Sequence, residues 1–404
     1  MARTFGRDAA AAQSTDRAYG LTAAPRWAAG PKLTAAAAAA AFEHEQPFTI
    51  GVEEELFLID RETLELAPVA EDVLSLLSND GRFARELRPS QLETVTRVCT
   101  TAGDACRELS LARRDLSAAL GDQYRMLAAG THPFSRTWGG VTNGARYKEI
   151  ADEYTWAAQR SLACGLHVHV AVTGAERALA VYNALRSYLP ELAALGANSP
   201  YFEGRDIGMS SIRPKLNDAF PRSGVPPSFG TWEDLIRYID WGRTGGLFPD
   251  ATHFWWELRP HLRHGTIEVR VADTQTHVAD ATAIVAVIHS LVAFLADRYD
   301  AGARLPVHPT HWIAENAWRA HRYGVRGWFV DLDTGRQQPA RERISRLLAE
   351  LQPYARELGS REELEASRVL LAGNGADRQR YVCRREGLRG LVTWLARETE
   401  RSAT

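Results

Sequence analysis

Lysine is nearly absent from this 404-residue chain, which carries only Lys32, Lys148 and Lys215. None of them precedes Ser or Thr, so a Walker A phosphate loop is excluded. The patterns G-x-G-x-x-G, G-x-S-x-G and H-E-x-x-H are missing as well, which removes the dinucleotide fingerprint, the nucleophile elbow and the zincin helix. Four cysteines (Cys99, Cys106, Cys164, Cys383) form no C-x-x-C pair and no zinc spacing, which fits a reduced, cytoplasmic compartment. A formal net charge of -2 leaves no broad basic field, so neither nucleic acid nor an anionic membrane is an expected partner. The longest apolar run, 283–296, is shorter than a membrane span and contains His289 and Ser290; it reads as a buried core helix.

The first 45 or so residues are alanine-rich and end in the run 35–41. A signal peptide would place its apolar stretch nearer Met1, with a small-residue cleavage site after it. Here Phe42-Glu43-His44-Glu45 follows instead. The segment 1–45 therefore reads as a disordered or partly helical leader, dispensable in a chain starting near Phe42. Residues 46–404 read as one large catalytic domain, because the residues singled out below are spread over 53–270 and make sense only if they converge.

Strand-like segments fall at 48–60, 83–87, 92–98, 126–130, 162–172 and 266–272, and helical patterns at 104–120, 175–195, 280–299, 340–352 and 388–400. The Gly- and Pro-rich stretches 198–230 and 244–250 read as long loops. This mixture predicts an α+β fold, helices packed on a mostly antiparallel sheet.

Three of the strands share a pattern. In Ile50-Gly51-Val52-Glu53-Glu54-Glu55-Leu56-Phe57-Leu58, the two-residue period puts Glu53 and Glu55 on one face and apolar residues on the other. His167 and His169 share a face in Cys164-Gly165-Leu166-His167-Val168-His169-Val170, as do Glu268 and Arg270 in Thr266-Ile267-Glu268-Val269-Arg270-Val271. A solvated sheet face is the ordinary reading of any one of these. Yet same-face glutamates repel unless a cation lies between them, and Gly51 and Gly165 open the polar faces as though something approaches the backbone closely. Glu86 and Glu93 add carboxylates. Several carboxylates with an imidazole suit a hard cation, Mg²⁺ or Mn²⁺, which usually arrives with substrate phosphates. Arg213, Arg222, Arg259, Arg263 and Arg270 supply guanidinium forks for phosphate or carboxylate.

The motifs Gly51-Val52-Glu53-Glu54-Glu55, Cys164 to Val170 and Arg259-Pro260-His261-Leu262-Arg263-His264-Gly265-Thr266-Ile267-Glu268-Val269-Arg270 resemble the carboxylate–amine ligase branch of the glutamate–cysteine ligases, type 2, within the glutamine synthetase-like superfamily. Ser211-Ile212-Arg213, Pro221-Arg222-Ser223-Gly224, Glu315-Asn316-Ala317-Trp318-Arg319 and Gly375-Ala376-Asp377-Arg378-Gln379-Arg380 are similar too, while Leu262 and His264 stand where a proline and an aromatic residue would be expected. The resemblance implies a curved antiparallel sheet forming a funnel. It implies one metal on Glu53, His167 and Glu268 and a second on Glu55, Glu86 and Glu93. Arg270 would be the catalytic arginine facing ATP phosphate; Arg259 and Arg263 would also serve ATP, and Arg213 and Arg222 the substrate. The implied activity is ATP-dependent amide formation from glutamate and an amine such as cysteine, through an acyl phosphate. Its partners are small molecules, and a homodimer is compatible with it. Three rival readings use the same site: a ligase for another carboxylate and amine, a guanidino or carboxylate kinase, and a non-catalytic nucleotide or metal sensor.

Overall fold

The computed structural model describes residues 27, 32–77, 80–136 and 139–402. Its main sheet contains seven antiparallel strands: β1 (Ile50–Asp60), β2 (Phe83–Arg85), β3 (Gln91–Val95), β4 (Tyr124–Leu127), β5 (Gly165–Ala171), β6 (Leu258–His261) and β7 (Thr266–Asp273). Their order is β6-β7-β5-β1-β3-β2. Both β5 and β4 lie on the same edge of β1: Glu53 pairs with His167 and Val95, and Phe57 with Leu127 and Gln91. The α+β expectation holds, and each anticipated strand is present within a few residues of its expected ends.

Alternation decides which way the sheet faces. Ile50, Val52, Leu166, Val168, Val170, Ile267 and Val269 point into one continuous core. That core is closed by α2 (Ala102–Leu120), α4 (Ala175–Leu185), α5 (Leu189–Leu195) and α7 (Val278–Asp300), the apolar helix. Alone among the described helices, α7 is long and apolar enough to cross a membrane, but 83% of its apolar window is buried inside the fold. The expected helix 175–195 is two helices separated by a 3₁₀ turn at Arg186–Tyr188. Pro190, in the first turn of α5, has no N–H to continue the ladder.

Glu54 lies on the core face of β1. Arg113 of α2 meets it with both side chains fully buried, and Arg113 also donates to the carbonyls of Gln275 and Thr276. Removing one partner of such a pair strands a buried charge, which costs about 3–5 kcal/mol. A Glu54→Ala variant should therefore lose roughly that much in urea unfolding; a loss below about 1 kcal/mol would show that Arg113 finds another anion.

Part of the segment read as a disordered or partly helical leader is helical and packed. Residues 35–40 form α1, capped by Thr34 and packed on α6 (Trp232–Thr244), with Ala38 and Phe42 buried in the main core. Alanine's small side chain lets the helix approach closely, so a run that looks like low-complexity sequence contributes to packing. Apart from Trp27 and residues 32–45, the expected leader lies outside the described residues.

The long loops are also more structured than expected. Stretch 198–230 contains a short helix (Arg213–Asn217), one pair of two-residue strands (Tyr201–Phe202 and Arg205–Asp206) and a third, Ser223–Gly224, that pairs with Trp255–Trp256. Helices α3 (Ala145–Arg160), α6 and α8 (Thr310–Tyr323) arise where no helix was anticipated, and the C-terminal helix α9 (Gly375–Arg401) begins earlier and turns at Gly387.

Candidate active site

The polar sides of β1, β3, β5 and β7 converge on a cavity of about 990 Å³, large enough for a nucleotide-sized ligand. The two-residue period and the sheet register build it. Glu53 stands opposite His167, Glu55 opposite Glu93, and Glu268 opposite both His169 and Arg259. Glu86 enters from the end of β2.

Ligand atoms of three trios lie within 4.8 Å of one another: Glu55, Glu86 and Glu93; Glu53, Glu93 and His167; and Glu53, His169 and Glu268. The first trio is the set anticipated for one metal. The other anticipated set, Glu53, His167 and Glu268, does not form one group among the described residues. Glu53 instead bridges two, lying 3.2 Å from His167 Nδ1 and 3.2 Å from His169 Nε2. Glu268 is fully buried between Arg259, at 2.5 Å, and Arg270.

The carboxylates divide into two electrostatic classes. Burial pushes Glu86 up to about 8, helped by the charge of Glu55. Burial together with Glu53, Glu86 and Glu55 pushes Glu93 well up. Burial also acts to raise Glu53 and Glu268, but is outweighed: hydrogen bonds from His167 and His169 hold Glu53 well down, and Arg259, Arg270 and His169 do the same for Glu268. Burial and then Arg270 lower His167, whereas the charges of Glu268 and Glu53 overcome burial and raise His169. Glu53 and Glu268 thus have cationic partners within the chain. Glu86 and Glu93 have no ion pair among the described residues and feel only the positive charge of Arg270, which burial outweighs; that is the pattern of a cation site.

Gly165 lets this packing happen: a Cβ there would sit 2.9 Å from His167 Nε2 and 3.1 Å from Arg213 Nη1, and its N–H donates to Glu55 at 2.6 Å. Gly51 has no such role, since a Cβ would meet only His169 Cβ at 3.9 Å.

The arginines sort differently from the expectation. Arg270 lies at the cavity wall, paired with Glu268 and 3.3 Å from His167 Nδ1. Arg259 lines the cavity but spends its donors on Glu268 and the carbonyls of Ala251, Thr252 and Phe254. Arg213 is tied to Asp273 and to the carbonyls of Arg270 and Ala272. Arg222 is outside the cavity lining; it bonds the His253 carbonyl and the Tyr154 hydroxyl and covers the Phe248 ring. Arg213 lines the cavity yet spends these donors on the scaffold, and Arg222 braces it from outside, roles that spacing alone does not reveal. Arg263 lines the cavity with no ion pair among the described residues, and so does Arg146 of α3, which sequence reasoning missed. His169 was noticed only as a face-sharing histidine; its place beside Glu53 and Glu268 follows from the β5–β7 register. His264 stacks on His261, and both rings stand edge-on to His169.

The remaining family-like motifs serve structure. Asn316 exchanges two hydrogen bonds with Val330, Arg319 covers Trp328, and Gln379 donates to Asn198.

A model of glutamate–cysteine ligase family 2 matches residues 49–398. A Rubrobacter xylanophilus protein provisionally named glutamate–cysteine ligase 2-1 is 40% identical over 349 residues, covering 84% of this chain and 91% of that one. A Thermobifida fusca protein provisionally named glutamate–cysteine ligase 2 is 34% identical over 369 residues, covering 88% and 92%. Among solved structures, glutamate–cysteine ligase from Francisella tularensis in complex with AMP superposes with a TM-score of 0.67 over 89% of this chain and 90% of its own. At 12% identity that likeness is one of fold. On the family match and these two relatives, the chain belongs to glutamate–cysteine ligase family 2.

Proposed function

We propose that the acidic face binds the Mg²⁺ or Mn²⁺ complex of ATP, and that this chain, an ATP-dependent ligase by family, joins the side-chain carboxylate of glutamate to an amine. The observation that carries the reading is the Glu55–Glu86–Glu93 trio, three half-buried carboxylates within ligand distance of one another and facing a cavity lined with arginines. The donor set suits hard divalent cations, with Glu53 and the histidines offering a second position. Cations bound there would screen phosphate charge and clamp the polyphosphate.

The chain's own residues then have defined tasks. Arg270, fixed by Glu268, presents a charged fork towards the space above His167 and stabilises charge on the transferring phosphoryl. Arg263 and Arg146 hold substrate anions. A glutamate carboxylate oxygen attacks the γ-phosphorus, the bond to ADP breaks, and an acyl phosphate forms. The amine nitrogen then attacks the acyl carbon, phosphate leaves, and the amine proton passes to phosphate or solvent. No side chain acts as nucleophile. Four free cysteines fit a cytoplasmic setting for this chemistry.

Glutamate should be the better-recognised substrate, because carboxylates meet charged donors, whereas no cavity-lining group among the described residues is specific for a thiol. Steady-state kinetics over a panel of acids and amines tests this. Aspartate, one methylene shorter, should lose about 10–200-fold in kcat/KM. Cysteine should be an imperfect acceptor, favoured over similar-sized amines by no more than that. Sharp selection of cysteine, with aspartate accepted as well as glutamate, would overturn the reading.

Metal binding should depend on pH in a stated direction. Glu86 in the fold titrates near 8 against an ordinary value of 4.5. A raised carboxyl contributes stability that is fully present below the unfolded value and is lost as pH rises through the folded one. The metal-free protein therefore weakens between about pH 4.5 and 8, and Glu93 acts in the same direction. Added Mg²⁺ should raise the melting temperature more at pH 8.5 than at pH 6, with protons released on binding at the lower pH. Equal shifts at both pH values would contradict the assignment.

A further inference from the structure

Segment 32–45 does more than pack against the core. Lys32 and Leu33 line the same cavity as Glu53, Glu55, Glu86 and Glu93. The segment is held there at several points. The Leu33 N–H donates to Asp240, Trp232 Nε1 donates to the Ala35 carbonyl, and the Phe42 ring lies edge-on to Trp232. At its far end, His44 Nε2 is 2.7 Å from the Gly265 carbonyl, and Thr173 bonds the His44 carbonyl. Gly265, at φ +65°, ends the tight β6–β7 turn, and a Cβ there would fall 1.7 Å from the Ala41 carbonyl oxygen. Only glycine permits that approach. The turn so gripped carries Leu262, Arg263 and His264 into the cavity. Lys32, one of three lysines in the chain, has no carboxylate partner among the described residues.

We propose that residues 32–45 form a wall of the active site, in which Lys32 binds an anionic group of a bound substrate and His44 positions the turn bearing Arg263. The proposal rests on the ligase reading. An ammonium on a flexible stem acts as a point charge that can reach carboxylate or phosphate alike. The shared chemistry is therefore an oxyanion, contributed either by an amino-acid substrate or by the nucleotide.

The test is steady-state kinetics on the full chain, varying ATP, glutamate and amine separately, for Lys32→Ala, Lys32→Arg, His44→Ala and His44→Gln. Lys32→Ala should raise the KM of one anionic substrate about tenfold, the lower end for a charge-assisted contact, while kcat changes little. Lys32→Arg should restore most of it. Whether the KM for ATP or for glutamate moves identifies which substrate carries the oxyanion. His44→Ala should raise KM for the ligand that Arg263 holds, and His44→Gln, whose amide can still bond the Gly265 carbonyl, should recover it. A purely structural clamp would lower the melting temperature in both His44 variants and leave KM unchanged. An active wild type whose three KM values stay within twofold in Lys32→Ala removes the wall alone. A wild type that consumes no ATP with any acid and amine removes the ligase reading and the wall with it.

Discussion

A Glu93→Gln variant is expected to lose on the order of 10²–10³-fold in kcat while its metal-free form melts at a higher temperature than the metal-free wild type. Glu93 belongs to two of the three trios, and burial together with Glu53, Glu86 and Glu55 pushes its proton affinity well up. Neutralising it relieves like-charge repulsion in the empty protein and removes a ligand that the phosphates need. Glu268→Gln should lose similar activity but behave oppositely in stability. Its carboxylate is fully buried between Arg259 and Arg270, and an amide would leave two guanidinium groups poorly paired. On the sequence alone, Glu53→Gln and Glu268→Gln are both expected to be structurally cheap; the Arg259–Glu268–Arg270 sandwich makes Glu268 the exception. Calorimetry with and without Mg²⁺, beside turnover, checks both. A Glu93→Gln protein with near-normal turnover at saturating metal would remove the carboxylate trio from the mechanism.

Arg270→Lys should also cost on the order of 10²–10³-fold in kcat, with smaller changes in KM. Lysine keeps the charge but loses the planar fork that reaches Glu268 and a phosphoryl oxygen together. Arg270 is held in its charged form by Glu268, Glu55 and Glu53 against the effect of burial, so its contribution is positional as much as coulombic. An equal loss in Lys and Ala variants would show that the fork carries the effect. Full activity in the Lys variant would reduce Arg270 to a counter-ion of Glu268.

How much of this was legible in the sequence depends on the range of the signal. Alternation is local, so the polar faces of β1, β5 and β7 could be read from short segments, whereas the expectation that their carboxylates and His167 share metal sites comes from the family resemblance. Register is not local. That Glu53 sits between His167 and His169, and that Glu268 meets His169, follows from which residues pair across strands about a hundred positions apart. Glu54 reads as one more acid in a run, and only the fold brings it to Arg113. Arg213 and Arg222 have the composition of ligand-binding residues, but Asp273, Tyr154 and backbone carbonyls use their donors. The alanine run gives little warning because small side chains carry little hydrophobic signal, yet they let the Ala35 carbonyl reach Trp232 and that of Ala41 approach Gly265.

In the proposed function, a divalent-metal site on this sheet couples ATP cleavage to amide formation. Its most direct test is the rate of ADP release by the purified full chain in a reaction containing ATP, Mg²⁺, glutamate and an accepted amine, repeated with each component left out. Rapid ADP release, matched one-to-one by amide and phosphate, is predicted only for the complete mixture, with loss on chelation of the metal. ADP release that proceeds at the same rate without the amine, or that survives removal of all divalent metal, would contradict the account.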